Sequence, residues 1–393
     1  MTRSALPCLL ALLTLHLACG SNNSNNSPSP DASPDTSSDV AADQPIAQDM
    51  PNDVADVSPD KVGEADETDE TDEAPDVPPV TLLRGVCAAD TPYPVLTREQ
   101  LGSAQVIATG ATIDGQDESF SFLEGPVWLE ESGRLLWSDF NNESPLAQDN
   151  GGPPSRIFSL KPGGEVEIFT PGGQLRTNGM AVDQNGDLVV ADHGRRAITR
   201  VNPDSLAESV LTADYMGESY NSTNDLVVTD RGVVFFSDPA YSGPVDGRPT
   251  PLDYEGVFRI DLNGQVSLVS EDLRRPNGVT VSPDGRWLYV ADAGDRKIYR
   301  APLNEQDVPG DLEVFIDTAQ GIDGFAVDCG GNLYGSSLRG GVTVWDANGD
   351  EIGVIGNSTS TNIAFGGPNR TTLYITGRSS LLSVELPIPG MPY

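Results

Sequence analysis

Seven acidic or amide side chains recur along this chain in one setting, each just ahead of a run of apolar residues. They are Glu124 in Phe122-Leu-Glu-Gly-Pro-Val-Trp128, Asn178 in Arg176-Thr-Asn-Gly179, and Asn224 with Asp225 in Ser222-Thr-Asn-Asp225. Asn277 in Arg275-Pro-Asn-Gly278, Asp323 in Gly321-Ile-Asp-Gly324 and Asn362 in Ser360-Thr-Asn-Ile363 continue the series. Oxygen donors of mixed charge suit a hard divalent cation. Ca²⁺ tolerates irregular geometry best, with Zn²⁺, Mg²⁺ or Mn²⁺ as alternatives. No His cluster and no Cys pair at zinc spacing accompanies them. A lone Asn-Gly is usually only a turn. Recurrence at one phase, outside the turns within each repeat, points instead to convergence on a polar channel.

The elements that must bring these residues together are legible as a repeat. A turn residue, an alternating apolar strand and a small or acidic residue recur as Gly133-Arg-Leu-Leu-Trp-Ser-Asp139, Gly186-Asp-Leu-Val-Val-Ala-Asp192 and Gly232-Val-Val-Phe-Phe-Ser-Asp238. The phrase returns as Gly285-Arg-Trp-Leu-Tyr-Val-Ala-Asp292, Gly331-Asn-Leu-Tyr-Gly-Ser-Ser337 and Arg370-Thr-Thr-Leu-Tyr-Ile-Thr-Gly377. Copies about 40 to 55 residues apart have the period of propeller blades. A strand stands upstream of each copy and two downstream, and no convincing amphipathic helix interrupts them. The reading is all-β, a six-bladed β-propeller of four-stranded antiparallel blades. The last strand, Leu381-Leu-Ser-Val-Glu-Leu386, leaves the sixth blade one strand short, and Ala104-Gln-Val-Ile-Ala108 can supply it from the other end of the domain. That pairing would remove an open sheet edge.

Taken together, Leu123-Glu-Gly-Pro-Val-Trp128, Asn221-Ser-Thr-Asn-Asp-Leu226, Phe236-Ser-Asp-Pro-Ala-Tyr241, Arg275-Pro-Asn-Gly278, Asp323-Gly-Phe-Ala-Val-Asp328 and Thr361-Asn-Ile-Ala-Phe-Gly-Gly367 resemble the senescence-marker-protein/gluconolactonase/luciferin-regenerating family. The resemblance covers roughly residues 102–386 and is to the bacterial gluconolactonase branch. It implies that Glu124, Asn277 and Asp323 bind a metal, with Asn224 at the metal or on the substrate. The activity implied is hydrolysis of a lactone, in particular a sugar lactone such as a gluconolactone, with the metal polarising the carbonyl and a carboxylate taking a proton from water. Asp323 is the first candidate for that base and Asp225 the second. Asn178, Asn224 and Asn362 would orient substrate, and Trp128 and Tyr241 would either wall the site or pack within a blade. Ser222 stands where animal members carry a substrate-contacting Arg, so their sugar preference is not carried over. Two other readings stay open: a phosphotriesterase resembling diisopropylfluorophosphatase on the same ring, and a non-catalytic surface propeller stabilised by calcium. His193, the sole His after the leader, lacks a Gly-x-Ser-x-Gly elbow and reads as structural or marginal to the channel. Arg195 and Arg196 read as a solvated turn.

The leader carries Arg3 and an apolar run from Leu9 to Leu17, shorter than the roughly 20 residues that span a bilayer. Leu17-Ala-Cys-Gly20 resembles a bacterial lipoprotein cleavage box, although His16 stands where an aliphatic residue is usual. An ordinary secretory signal is the alternative. Residues 1–18 are thus expected to be a signal peptide and Cys19 the lipidated residue. Residues 19–86 follow as an acidic linker without the apolar content to fold, and residues 87–393 as the propeller. The expected setting is an exported lipoprotein, in the periplasm or at the cell surface, with the outer membrane favoured. Lipid would be its only membrane contact, a small lactone its partner, and its state monomeric. Asp and Glu number 59 against 23 Lys and Arg, which excludes nucleic acid as a natural partner. Cys87 and Cys329 would then sit in an oxidising compartment, where a disulfide would staple the leading segment to a late blade. Two separate thiols are the alternative.

Overall fold

Side chains alternate between the two faces of a strand, so a strand apolar at every position must be covered on both faces. The run Leu135-Leu-Trp137 in the second strand of the first repeat, Arg134–Phe140, is such a stretch: Leu135 and Trp137 point one way, Leu136 the other, and all three are buried. The computed structural model describes residue Cys87 and residues 92–140, 155–170, 177–241 and 252–391. The chain divides into two units, Met1–Asp72 and Glu73–Tyr393, and all described residues belong to the second. The expected signal peptide, Cys19 and the whole linker lie outside the described residues.

Six four-stranded antiparallel sheets follow one another as blades. In the first, the strands from the centre outward are Leu123–Leu129, Arg134–Phe140, Ser155–Leu160 and Val166–Thr170. The innermost strands of the next four blades are Thr177–Val182, Leu226–Val228, Pro276–Val281 and Phe325–Val327. In the sixth blade Asn362–Gly366, Thr372–Thr376 and Leu381–Glu385 are completed by Gln105–Ala108, antiparallel to Leu381–Glu385. This is the closure anticipated from the sequence. Each innermost strand touches the next, and that of the sixth blade touches that of the first, so the ring closes.

Six apolar clusters fill the six interfaces between neighbouring blades. Between the first and second, Val127, Leu136 and Ile157 meet Met180, Leu188 and Val190. Across the closing interface Trp128 stacks on Tyr374, with centroids 6.0 Å apart and planes at 10°. Trp128 is therefore a packing residue between blades, where the sequence offered a site wall or packing within one blade. Buried aromatics of this size supply a large share of core stabilisation, about 1.5–3 kcal/mol each.

Cys87 and Cys329 form a disulfide, with Cα atoms 5.1 Å apart across a sequence separation of 242. It fixes the segment ahead of the domain to the fifth blade. Replacing either cysteine with Ser, or reducing the oxidised protein, should lower unfolding stability by about 2–4 kcal/mol. Urea titrations with and without reductant read this directly, and coincident curves would mean the bond contributes nothing.

Candidate functional site

The acidic residue that ends the repeated phrase has a definite task. The Asp139 carboxylate accepts the backbone N–H groups of Ser121 (3.1 Å) and Phe122 (2.9 Å). Asp238 accepts those of Asn221 and Ser222, both at 2.7 Å. Asp292 accepts those of Arg274 (3.0 Å) and Arg275 (3.3 Å). Two residues beyond each clamped pair stand Glu124, Asn224 and Asn277. The fifth and sixth blades use hydroxyls: Ser336 accepts the Gly324 N–H and donates to the Thr361 carbonyl, each at 2.8 Å, and Thr376 accepts the Asn362 N–H at 3.0 Å.

The innermost strands then bulge between Glu124 and Val127, Thr177 and Met180, and Pro276 and Val279, which interrupts the ladder beside Glu124, Asn178 and Asn277. The glycines after the polar residues permit close approach of one inner strand to the next. Gly125 has φ +49°, and a Cβ there would lie 1.9 Å from the Asn178 carbonyl oxygen. A Cβ on Gly324 would lie 2.1 Å from Asn362 Oδ1. Neighbouring inner strands even bond directly, Gly179 N–H to the Asn224 carbonyl at 2.8 Å.

All seven sequence-identified residues therefore gather at one end of the channel, and all but the half-buried Asp323 are buried. Asn277 Nδ2 donates to Asp323 Oδ1 (2.6 Å) and to the Tyr241 hydroxyl (3.0 Å). Asn362 is engaged at both ends: Oδ1 accepts the Ile363 N–H at 2.8 Å, and its amide bonds Glu124 and Asp225 across the ring. Burial pushes the Glu124 carboxyl well above the usual range, and the charges of Asp323 and then Asp225 push it further. Burial raises Asp225 to about 7 against hydrogen bonds from Leu226, Val279 and Asn362. Burial likewise raises Asp323 to about 7 against the Asn277 bond, with Asp225 adding to the rise.

Three carboxyls in a buried ring need protons or a cation to offset their mutual repulsion. Asn178 Oδ1, also buried there, has no hydrogen-bond donor. A hard cation fits both facts. Among the described residues no three His, Cys, Asp or Glu form a metal cage by themselves, so a cation would depend on the carboxamides as well.

A cavity of about 640 Å³ opens beside the ring, lined by Tyr241, Asn277 and Asp323 among others. Asp225 and Asn362 line a deeper void of about 20 Å³ instead. Tyr241 is thus at the site, and its hydroxyl braces Asn277, a role its sequence setting did not disclose. Ser222 is buried beneath it, accepting the Tyr241 N–H at 3.1 Å and donating to the Pro239 carbonyl. His193 is half-buried just beyond the strand Leu188–Asp192. One expectation is corrected: Arg195 lies in an exposed turn paired with Glu208, but Arg196 is buried and its charge acts on Asp238. An apolar-free turn sequence hid an inward-facing guanidinium.

The SMP-30/Gluconolactonase/LRE-like region family matches residues 122–379. The chain is 34% identical over 283 residues to the gluconolactonase of Zymomonas mobilis, covering 67% of this chain and 78% of that protein. It is 28% identical over 273 residues to pentonolactonase XacC of Haloferax volcanii, covering 66% and 82%. Among solved structures, a gluconolactonase of Xanthomonas campestris superposes with a TM-score of 0.60 at 28% identity, covering 76% of this chain and all of that one (100%).

The raised carboxyls give a stability profile with a definite sign. Without a cation, Asp225 and Asp323 keep their protons in the folded chain to about pH 7, whereas an unfolded Asp releases its proton near about 3.9. Between those values the unfolded chain binds fewer protons, so stability falls as pH rises. Asp238, also raised to about 7 by burial, adds to the same trend. Chelator-treated protein should therefore melt lower at pH 7.5 than at pH 5, and calcium should raise the midpoint more at pH 7.5. A flat profile without metal would contradict the buried ring.

Proposed function

The chain belongs to the SMP-30/gluconolactonase/LRE-like family and is a lactone hydrolase, and from that premise we propose that its substrate is a sugar lactone, such as a gluconolactone, opened by water at the channel ring. The observation that carries the reading is the setting of Asp323. Its carboxyl faces the open 640 Å³ cavity and its Oδ1 is occupied by Asn277. That leaves Oδ2 to accept a proton from water near neutral pH. The same group can return the proton to the ring oxygen that leaves when the lactone opens, so protons balance over the cycle.

A divalent cation, calcium by the chemistry of the donors, would be held by Glu124, Asn224, Asn277 and Asp323, and when bound would polarise the lactone carbonyl. Asn277 serves here as a bridge, keeping Asp323 and Tyr241 in register through one amide. Asn178, with its free carbonyl oxygen, is suited to a substrate hydroxyl or the cation. Asn362 aligns Glu124 and Asp225 from the far side. Asp225 ranks second as base because it lines the deeper void and is tied by three hydrogen bonds.

Asp323→Asn should lower kcat by at least about 100-fold while weakening calcium binding less than that. Glu124→Gln should chiefly raise the calcium Kd, with turnover partly recovered as calcium is added. Full turnover by Asp323→Asn at saturating calcium would pass the base role to Asp225. Normal calcium binding by both variants would remove the metal from this ring.

The export reading is likewise a proposal and rests on residues 1–19. Cys19→Ser should shift the protein from the membrane fraction to the soluble fraction. Mass spectrometry of the extracted protein should find acyl groups on Cys19, and an unmodified terminus elsewhere would defeat the anchor.

A further inference from the structure

The wall of the 640 Å³ cavity has an unexpected charge. Four arginines, Arg274, Arg275, Arg296 and Arg339, line it, and among the described residues Asp323 is the one carboxylate in its lining. This occurs in a chain whose net charge is −36, so the local balance runs against that of the whole molecule. The four come from the loops of two adjacent blades. Arg274 and Arg275 lead into the inner strand Pro276–Val281, Arg296 follows the strand Trp287–Asp292, and Arg339 follows Leu333–Ser337.

Their partners leave most of that charge available. Arg274 pairs with Asp295 at 3.2 Å in an exposed position, an interaction worth little in water. The Arg275 guanidinium lies over the Tyr241 ring, 5.2 Å from its centroid, and the hydroxyl of that ring accepts from Asn277. Arg275 is therefore held in register with the ring of polar residues. Among the described residues, no carboxylate forms an ion pair with Arg275, Arg296 or Arg339. Guanidinium groups gathered around one cavity repel each other, and a neutral polyol offers nothing that would offset this. An oxyanion would, because its oxygens match the fork of guanidinium donors.

Resting on the lactonase reading above, we propose that the preferred lactone carries a second, anionic group, a carboxylate, sulfonate or phosphate remote from the reacting carbonyl, and that these arginines bind it. The carboxylate released by hydrolysis does not explain the cluster, since it forms at the carbonyl beside Asp323, where the cation held by the ring would offset its charge. Neutral and anionic lactones both release that carboxylate, so comparing them cancels its contribution.

The test uses the full chain loaded with calcium. Initial rates are measured on gluconolactone and on two charged counterparts, one with a terminal carboxylate and one with a terminal phosphate. At least one charged lactone should show kcat/KM about tenfold or more above the neutral one, with the advantage shrinking as salt rises from 50 to 300 mM, about a 2.5-fold shortening of the screening length. In the double variant Arg296→Gln/Arg339→Gln, both surface substitutions, the charged-to-neutral ratio should fall about tenfold, mainly through KM. A ratio near or below one, or a ratio untouched by the double variant, would overturn the proposal and leave the lactonase reading standing. If no lactone is turned over, the lactonase reading fails. The arginine assignment is then read by calorimetry with gluconate and 6-phosphogluconate: tighter binding of the phosphorylated acid, lost in the double variant, supports it, and equal binding overturns it.

Discussion

The carboxylate at the end of the second strand, closed onto two backbone N–H groups of the loop ahead of the inner strand, is the interaction on which the site depends. Asp139, Asp238 and Asp292 each make it, and in each case a polar ring residue stands two positions further along. Paired backbone donors to one buried carboxyl are directional, which limits the freedom of the next few residues. Because the clamp bonds to the main chain, it constrains where the loop passes while leaving side chains to vary. The same clamp thus presents Glu124 in one blade, Asn224 in another and Asn277 in a third.

Convergence then becomes a question of how closely six inner strands can crowd. Glycine after a polar residue removes the Cβ that would otherwise strike the neighbouring strand, as at Gly125 against the Asn178 carbonyl and Gly324 against the Asn362 amide. Burial in that crowded setting raises Glu124, Asp225 and Asp323 alike, and neighbouring carboxylate charge adds to the rise of Glu124 and Asp323. The rigidity that permits this comes from the six interblade clusters, which surround the channel with packed apolar side chains. A site that must hold donors within fractions of an ångström is best built on such a scaffold.

Electrostatically the channel mouth has two zones. The ring concentrates negative charge, and the loops of the fourth and fifth blades set arginines around the cavity beside it. Tyr241 joins them, stacking under Arg275 while bonding Asn277. One aromatic side chain thus touches both zones. Ser222, buried against Pro239 and the Tyr241 N–H, steadies that aromatic from below.

The repeated phrase and the matching phase of the polar residues were enough to read six blades, closure by Gln105–Ala108 and the membership of the ring. A propeller repeat fixes the position of each residue relative to its own blade, and blade symmetry then carries equivalent positions to one end of the channel. Sequence also marked Asp139, Asp238 and Asp292 as recurrent, but not as clamps, because their partners are main-chain groups without a residue signature. Whether Cys87 met Cys329, which way Arg196 turned and which role Trp128 took were decided only in three dimensions, where contacts cross from one blade to another. The arginine wall belongs to the same class. Arg274, Arg275, Arg296 and Arg339 lie in dissimilar local sequences and share no spacing. Only the folding together of two adjacent blades brings their charges to one cavity.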